Sequence, residues 1–499
     1  MNVNLNGMAH YAAKLTARWQ HASPVQRIFA ALGIFLSGIA LICSAMIASE
    51  LIANNLISTS KNSRKNTLKP DDNTLQRGAY LARVGNCSAC HTARGGADFA
   101  GGKTIHTPFG AVYTSNITPD AATGIGRWSA QAFYRAMHEG VSADGHLLTP
   151  AFPYTNYTHI TRADSDDLYA YFMHSVSPVQ QSNRAHDLPF PLNTQVALAV
   201  WRLMFFDQSE DSESTQYTTK NIANYPISTL ENSPKNFQTS LQQDGATATA
   251  SNLAQGAHSE LARGAYLVQG LGHCSACHAQ RNALGATDKN PALSGALMPM
   301  QDWYAPSLVD AAQAGVMHWP QRDVVALLKT GIAPNASVAG PMAEVVSKST
   351  QHWTDADLRA TAAYLQSLPE TMAAARSAPS QNSQFYERGA QLFTQHCASC
   401  HGAQGQGVQL AGSVALPALA GNRAVSMHTS ANLVRIILAG GYAPSTAGNP
   451  RPFGMPPFVH VLDDTDIAAV TTYIRQSWGN QADAVSATDV VRHRKGLAQ

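Results

Sequence analysis

The sequence predicts a mainly α chain of three tandem domains of similar size behind an N-terminal transmembrane helix. Three observations predict it. A Cys-x-x-Cys-His run occurs as Cys87-Ser88-Ala89-Cys90-His91, as Cys274-Ser275-Ala276-Cys277-His278 and as Cys397-Ala398-Ser399-Cys400-His401. A short helix carrying Arg-Gly-Ala precedes each run, and a helix bearing an aromatic closes each segment. An uncharged apolar stretch long enough to cross a bilayer lies ahead of all three.

The Cys-x-x-Cys-His run reads as covalent attachment of a c-type haem. Each cysteine supplies one thioether to a vinyl group, and the histidine supplies the proximal iron ligand. One run alone also fits a thiol–disulfide pair or half a zinc site. Three runs, each opening a segment of domain size, point to three covalently bound haem c groups. The cysteines expected to hold them are Cys87, Cys90, Cys274, Cys277, Cys397 and Cys400, and the proximal ligands are His91, His278 and His401.

The 499 residues allow three or four domains at roughly 100–200 residues each. Net charge is +2, with 13% charged residues and no long basic stripe, which speaks against a nucleic-acid partner. Six of the seven cysteines belong to the runs, and the seventh, Cys43, lies in the apolar stretch. A structural disulfide would therefore have to take a cysteine from one of the runs. The residues before Cys43, Ala-Leu-Ile, do not suit a lipidated cysteine, so a buried small hydrophobe is its simpler role.

In chain order, residues 1–27 are expected in the cytoplasm and 28–50 as a transmembrane anchor or uncleaved signal. Residues 28–49 carry no charge; Lys14, Arg18 and Arg27 precede them and Glu50 follows. As a helix they would span roughly 33 Å, about one bilayer core, and the basic residues place the amino end inside. A cleaved signal peptide is the rival reading. Residues 51–69 read as a polar tether.

The first domain is expected over 70–206, a polar linker over 207–255, the second domain over 256–370, a short linker over 371–383, the third domain over 384–480 and an exposed tail over 481–499. Gly78, Gly264 and Gly389 precede the first cysteine of their runs by 9, 10 and 8 residues, which marks an internal repeat. A glycine at that place suits a close helix crossing. The closing helices carry Tyr169 and Tyr171, Tyr364, and Tyr473. The last two follow acidic starts, Thr354-Asp355-Ala356-Asp357 and Asp463-Asp464-Thr465-Asp466. Residues 107–120 and 303–308 read as turns over a haem edge. The apolar residues 189–192 and 201–206 fit packing on a neighbouring domain, a membrane surface or a partner.

Methionine is a sixth iron ligand that raises the potential. Met342, in Gly-Pro-Met, and Met455, in Gly-Met-Pro-Pro, are the expected distal ligands of the second and third haems. The first segment has Phe152 at the corresponding place, and phenylalanine cannot bind iron. Met137 and His146 are the leading candidates for the first distal ligand, with His106, His138 and Met173 behind them, and a five-coordinate iron is the other reading.

The stretches RGAYLARVGNCSACH, TPFGAVYTSNITPD, PAFPYTNY, YAYFMHSVSPV, RGAYLVQGLGHCSACH and DWYAPSL resemble the membrane-bound triple-haem cytochrome c subunits of bacterial periplasmic dehydrogenases. The resemblance covers about residues 70–205 and 256–480. It implies three tandem class I cytochrome c-like domains and an inner-membrane location with the haem domains on the periplasmic side. It also implies the haem residues named above, with Met342 and Met455 as distal ligands. The implied partners are a dehydrogenase catalytic subunit of molybdenum, PQQ or flavin type, the lipid membrane, and ubiquinone or a terminal oxidase as acceptor. The implied function is a triple-haem carrier that accepts electrons from that subunit and passes them on, rather than an enzyme that oxidises the substrate itself. Two alternatives stand beside it: a haem enzyme with an open first haem, and an electron-feeding subunit of a terminal oxidase.

Overall fold

The structure is a computed structural model that describes residues 70–208, 259–288, 292–298, 300–371, 383–410 and 414–495. The described residues are mainly helical, and their strands form only short two-stranded antiparallel hairpins.

The first segment opens with α1 (Asp72–Val84), capped by the Asp71 carboxylate accepting from Thr74 N. One turn later comes α2 (Cys87–His91), entered through Asn86 in the left-handed region. A hairpin of β1 (Thr104–Thr107) and β2 (Gly110–Tyr113) follows. Then come α3 (Ala130–Glu139), α4 (Tyr154–Tyr157) and α5 (Arg162–His174); Ser129 and Thr161 hydroxyls cap the first and last of these. An additional helix, α6 (Gln195–Phe205), ends the segment.

The second segment starts with a helix over 259–265 that passes into a π-helical stretch, Tyr266–Leu271. This bulge absorbs the one extra residue that sets Gly264 and Cys274 ten positions apart, against nine for Gly78 and Cys87. After it come α7 (Ser275–His278), the hairpin β3 (Ala296–Met298) and β4 (Trp303–Ala305), α8 (Gln321–Thr330), and the hairpin β5 (Ile332–Ala333) and β6 (Ala336–Ser337). The segment closes with α9 (Pro341–Lys348) and α10 (Asp355–Ser367).

The third segment runs through α11 (Ser383–His396), α12 (Ala398–His401), the hairpin β7 (Val408–Leu410) and β8 (Val414–Leu416), and α13 (Arg423–Ser426). It continues with α14 (Ala431–Ala439), the paired β9 (Gly441–Tyr442) and β10 (Gly454–Met455), α15 (Asp464–Gln476) and α16 (Ala487–Lys495).

Each segment's opening and closing helices cross at the expected glycine. A Cβ built on Gly78 would lie 2.7 Å from Tyr171 Cβ, on Gly264 2.6 Å from Tyr364 Cβ, and on Gly389 2.7 Å from Tyr473 Cβ. In all three the carbonyl oxygen four residues before that tyrosine, of Asp167, Ala360 or Ala469, is nearer still. Only hydrogen fits there, so the backbones meet at their closest approach.

The first and second segments share one apolar cluster, in which Leu81, Leu168 and Phe172 pack with Leu267, Leu271 and Leu358. Over it lies a reciprocal polar lock. Arg77 pairs with Asp164 in its own segment and Arg263 with Asp357 in its own. Tyr80 then donates across the boundary to Asp357 Oδ2 at 2.5 Å, and Tyr266 donates back to Asp164 Oδ2 at 2.5 Å. The two tyrosines hold the same place in their Arg-Gly-Ala-Tyr stretches; the third segment has Gln391 there. Burial alone would push the Asp357 carboxyl up, but the bonds from Arg263 and Tyr80 outweigh it and hold it below its ordinary value. The third segment has its own core around Val434, Ile467 and Ile474 and meets the second through polar contacts. Tyr304 N and O bond the Asn432 side chain at 2.8 and 2.7 Å, and Asp302 Oδ2 pairs with His493 Nδ1 at 2.8 Å.

Two expectations are corrected. No helix among the described residues is long and apolar enough to cross a membrane. The longest, α11, has 14 residues, about 21 Å of rise against a bilayer core of about 30 Å. The predicted anchor over 28–50 lies outside the described residues, so the transmembrane architecture and the inner-membrane location drawn from it are not retained. Residues 481–495 are not an exposed tail either. Val485 and Val490 are buried in the third core, and Arg494 in α16 donates to Asp464 and to Val459 O.

Candidate haem-attachment sites

Each Cys-x-x-Cys-His run forms a single helical turn immediately after the opening helix of its segment. Short-range hydrogen bonds hold that turn: Thr92 N to Ser88 O, His278 N to Cys274 O and His401 N to Cys397 O. In the first two segments a cation reaches the end of the turn. Lys103 Nζ donates to Ala89 O at 2.6 Å and Arg281 Nη2 donates to Ala276 O at 2.8 Å, where the helix carbonyls are otherwise unpaired.

The three histidines are held alike. Nδ1 faces a loop carbonyl at 2.7 Å in His91 (Ser115 O), 2.7 Å in His278 (Pro306 O) and 2.9 Å in His401 (Pro417 O). A carbonyl can only accept, so Nδ1 carries the proton and Nε2 keeps the lone pair. This is how proteins usually fix the ligating tautomer of a histidine. Burial lowers all three histidine pKa values, opposed by the carbonyl bond, and neutral imidazole is the ligating form.

No disulfide joins the six cysteines of the runs. Burial, with a smaller repulsion from the second cysteine, pushes Cys87 and Cys274 up to about 12 and Cys397 up to about 11. Reactive dithiols have depressed values instead. A zinc site needs three or four converging ligands, and no three His, Cys, Asp or Glu side chains converge in that way among the described residues.

A cavity of about 1450 Å³ opens over the first run. Cys87, Cys90 and His91 line it together with Trp128, Met137 and Phe152. It extends across the segment boundary to Ser275, Ala276 and Cys277. A cofactor pocket holds about 300–1,000 Å³, so this one has room for a large planar group. Two thiols, a histidine with Nε2 available and an apolar wall are the donor set that haem c needs, and the residues fit the group.

The other expected residues fall as follows. Met455 lies in β10 opposite Gly441 and packs on the third core. Met342 is the second residue of α9, half-buried. Met137 is buried in α3 and lines the cavity. His146 is exposed and pairs with Asp144 at 2.7 Å, away from the cavity wall. His138 is buried and stacks on Tyr134 at 4.9 Å, Met173 is half-buried against the shared cluster, and His106 is exposed on β1. The carbonyls that orient the histidines, and Lys103 and Arg281, had no signal of their own in the sequence. The turns at 107–120 and 303–308 pointed only to the loops that carry two of those carbonyls.

A triad of thiol, thiol and oriented histidine behind a glycine-crossed helix pair defines a c-type cytochrome. The cytochrome c family model matches residues 386–478, the third segment alone. Over most of its length the chain is similar to whole subunits. It is 37% identical over 450 residues to the cytochrome c subunit of the quinone-type alcohol dehydrogenase of Gluconacetobacter polyoxogenes, covering 86% of each chain. It is 36% identical over 443 residues to the gluconate 2-dehydrogenase cytochrome c subunit of Pantoea cypripedii, 85% of this chain and 90% of that one. It is also 32% identical over 452 residues to the fructose dehydrogenase cytochrome subunit of Gluconobacter japonicus, 85% of this chain and 84% of that one. The chain belongs to the family of dehydrogenase cytochrome c subunits. Its role is electron transfer, and substrate oxidation belongs to a separate catalytic subunit. The three-domain cytochrome architecture expected from the repeats is corrected to one recognisable cytochrome c domain, the third.

Proposed function

We propose that this chain holds three covalent haem c groups, takes electrons from the catalytic subunit of a periplasmic dehydrogenase and passes them to ubiquinone or a terminal oxidase. The observation that carries the reading is the threefold recurrence of one arrangement: a Cys-x-x-Cys-His turn whose histidine gives Nδ1 to a loop carbonyl. When bound, each haem supplies a one-electron ferric/ferrous couple. The chain supplies attachment through Cys87, Cys90, Cys274, Cys277, Cys397 and Cys400, and proximal ligation through His91, His278 and His401. Met342 and Met455 are the distal ligands of the second and third groups. The lock between Tyr80, Asp357, Tyr266 and Asp164 supports transfer between the first two groups, because it joins their segments rigidly beneath a shared cavity.

The test is a count. Protein exported from a host competent in c-type haem maturation, then denatured and separated on a gel, is expected to retain three haems per chain. The paired changes Cys87→Ala with Cys90→Ala, Cys274→Ala with Cys277→Ala, and Cys397→Ala with Cys400→Ala should each remove one. A count below three in the unmodified chain refutes the reading.

A further inference from the structure

The middle helix of each segment ends at a glycine with positive φ: α3 at Gly140, α8 at Gly331 and α14 at Gly440. These glycines bring the three segments into register. The third residue before each is Met137, Leu328 and Ile437. The loop beyond returns to the same helix end. In the third segment a Cβ on Gly440 would strike the Met455 carbonyl oxygen and lie 2.8 Å from Pro457 N. In the first, a Cβ on Gly140 would lie 2.6 Å from the Tyr154 ring, two residues past Phe152. Phe152 and Met455 therefore sit in loops that fold back alike.

The residue types at the two places are exchanged. In the third segment the loop carries sulfur, in Met455, and the helix carries a buried aliphatic, Ile437, in the same cluster. In the second segment Leu328 lies on the helix and Met342 is the second residue of α9. In the first segment the loop carries Phe152 and the helix carries sulfur, in Met137. Both belong to one cluster, and both line the cavity that contains Cys87, Cys90 and His91. Met137 is 7% exposed. Besides His91, three histidines line that wall: His273 Nε2 is held at 3.3 Å from Gly85 O, His186 Nδ1 accepts from Tyr113 N at 3.3 Å, and His159 is half-buried there.

We propose that the Met137 thioether, projecting from α3, is the distal ligand of the first haem, in place of the loop methionine that Phe152 replaces. Phe152 then closes the space the loop side chain would have filled, and the first haem is six-coordinate and of the same His/Met class as the other two. The proposal rests on the haem reading above and deepens it.

The test uses the full-length exported protein, fully reduced, with methionine ε-methyl groups labelled with carbon-13. An iron-bound methionine methyl is shifted far upfield by the ring current of the porphyrin. Three such methyls are expected, and Met137→Leu should remove one while the covalent haem count stays at three. The same variant should gain carbon monoxide binding at one haem in three, and Met137→Leu with Phe152→Met should restore the third methyl and close the site again. Two upfield methyls in the unmodified protein overturn the proposal, whether or not the variant folds. So does a Met137→Leu or Met137→Ile protein that keeps all three. A haem count below three strikes the parent reading instead and is read on the gel before any resonance.

Discussion

Replacing Gly389 by alanine tests the idea that backbone contact at the glycine crossing organises each segment. The new Cβ would lie 2.7 Å from Tyr473 Cβ and closer to Ala469 O, against ordinary contact at 3.4–4 Å. The obstacle is backbone and the first atom of a side chain, so no rotamer change relieves it; α11 and α15 must separate by most of an ångström. Overpacking of this kind costs about 1–3 kcal/mol. Alanine returns about 1 kcal/mol of helix propensity lost to glycine. The net expectation is a loss of about 0–2 kcal/mol in the third segment, a factor of up to about 30 in its opening equilibrium. Hydrogen-exchange mass spectrometry on the full chain reads this locally, as faster exchange of peptides covering 464–476. Gly448 has nothing within 4 Å of its built Cβ and no positive φ, so Gly448→Ala is the matched control and should leave exchange unchanged. If Gly389→Ala protects those amides as well as glycine does, close approach is not what the residue provides.

Tyr80→Phe and Tyr266→Phe each remove one bond to a buried aspartate and should each cost about 1.5 kcal/mol. The double variant is expected to free the first segment from the second, read as raised exchange in both opening helices. Asp357 is held below its ordinary value in the fold, so it contributes stability that is present above its unfolded pKa of about 3.9 and is lost as pH falls through the folded value. The effect of Tyr80→Phe on the urea midpoint should accordingly be larger at pH 7 than at pH 3. Deleting residues 487–499 uncovers the α14–α15 face that Val490 fills and should lower the thermal midpoint of the third segment by several degrees; an exposed tail would leave it unchanged.

The order of residues was enough to mark the three Cys-x-x-Cys-His runs and to show how the chain repeats. Cysteine and histidine at fixed spacing follow covalent demands that are local, and a glycine at each crossing reports a backbone contact that no other residue permits. The helix starts at Thr354 and Asp463 were legible for the same reason, since a cap acts on an amide three residues away. Whatever depends on residues far apart in the chain had to wait for the folded arrangement. Tyr80 meets Asp357 and Tyr266 meets Asp164 across 277 and 102 positions, and neither pairing leaves a pattern in one sequence. The carbonyls of Ser115, Pro306 and Pro417 orient the histidines through main-chain atoms that every residue carries, so residue identity could not mark them. Met137 and His146 looked equal as candidates because the sequence carries no strong signal for either; burial separates them, with Met137 lining the cavity and His146 exposed. The charged composition of the last residues suggested a loose tail, yet Val485 and Val490 bury apolar surface in the third core, and His493 and Arg494 meet Asp302 and Asp464 from distant parts of the chain.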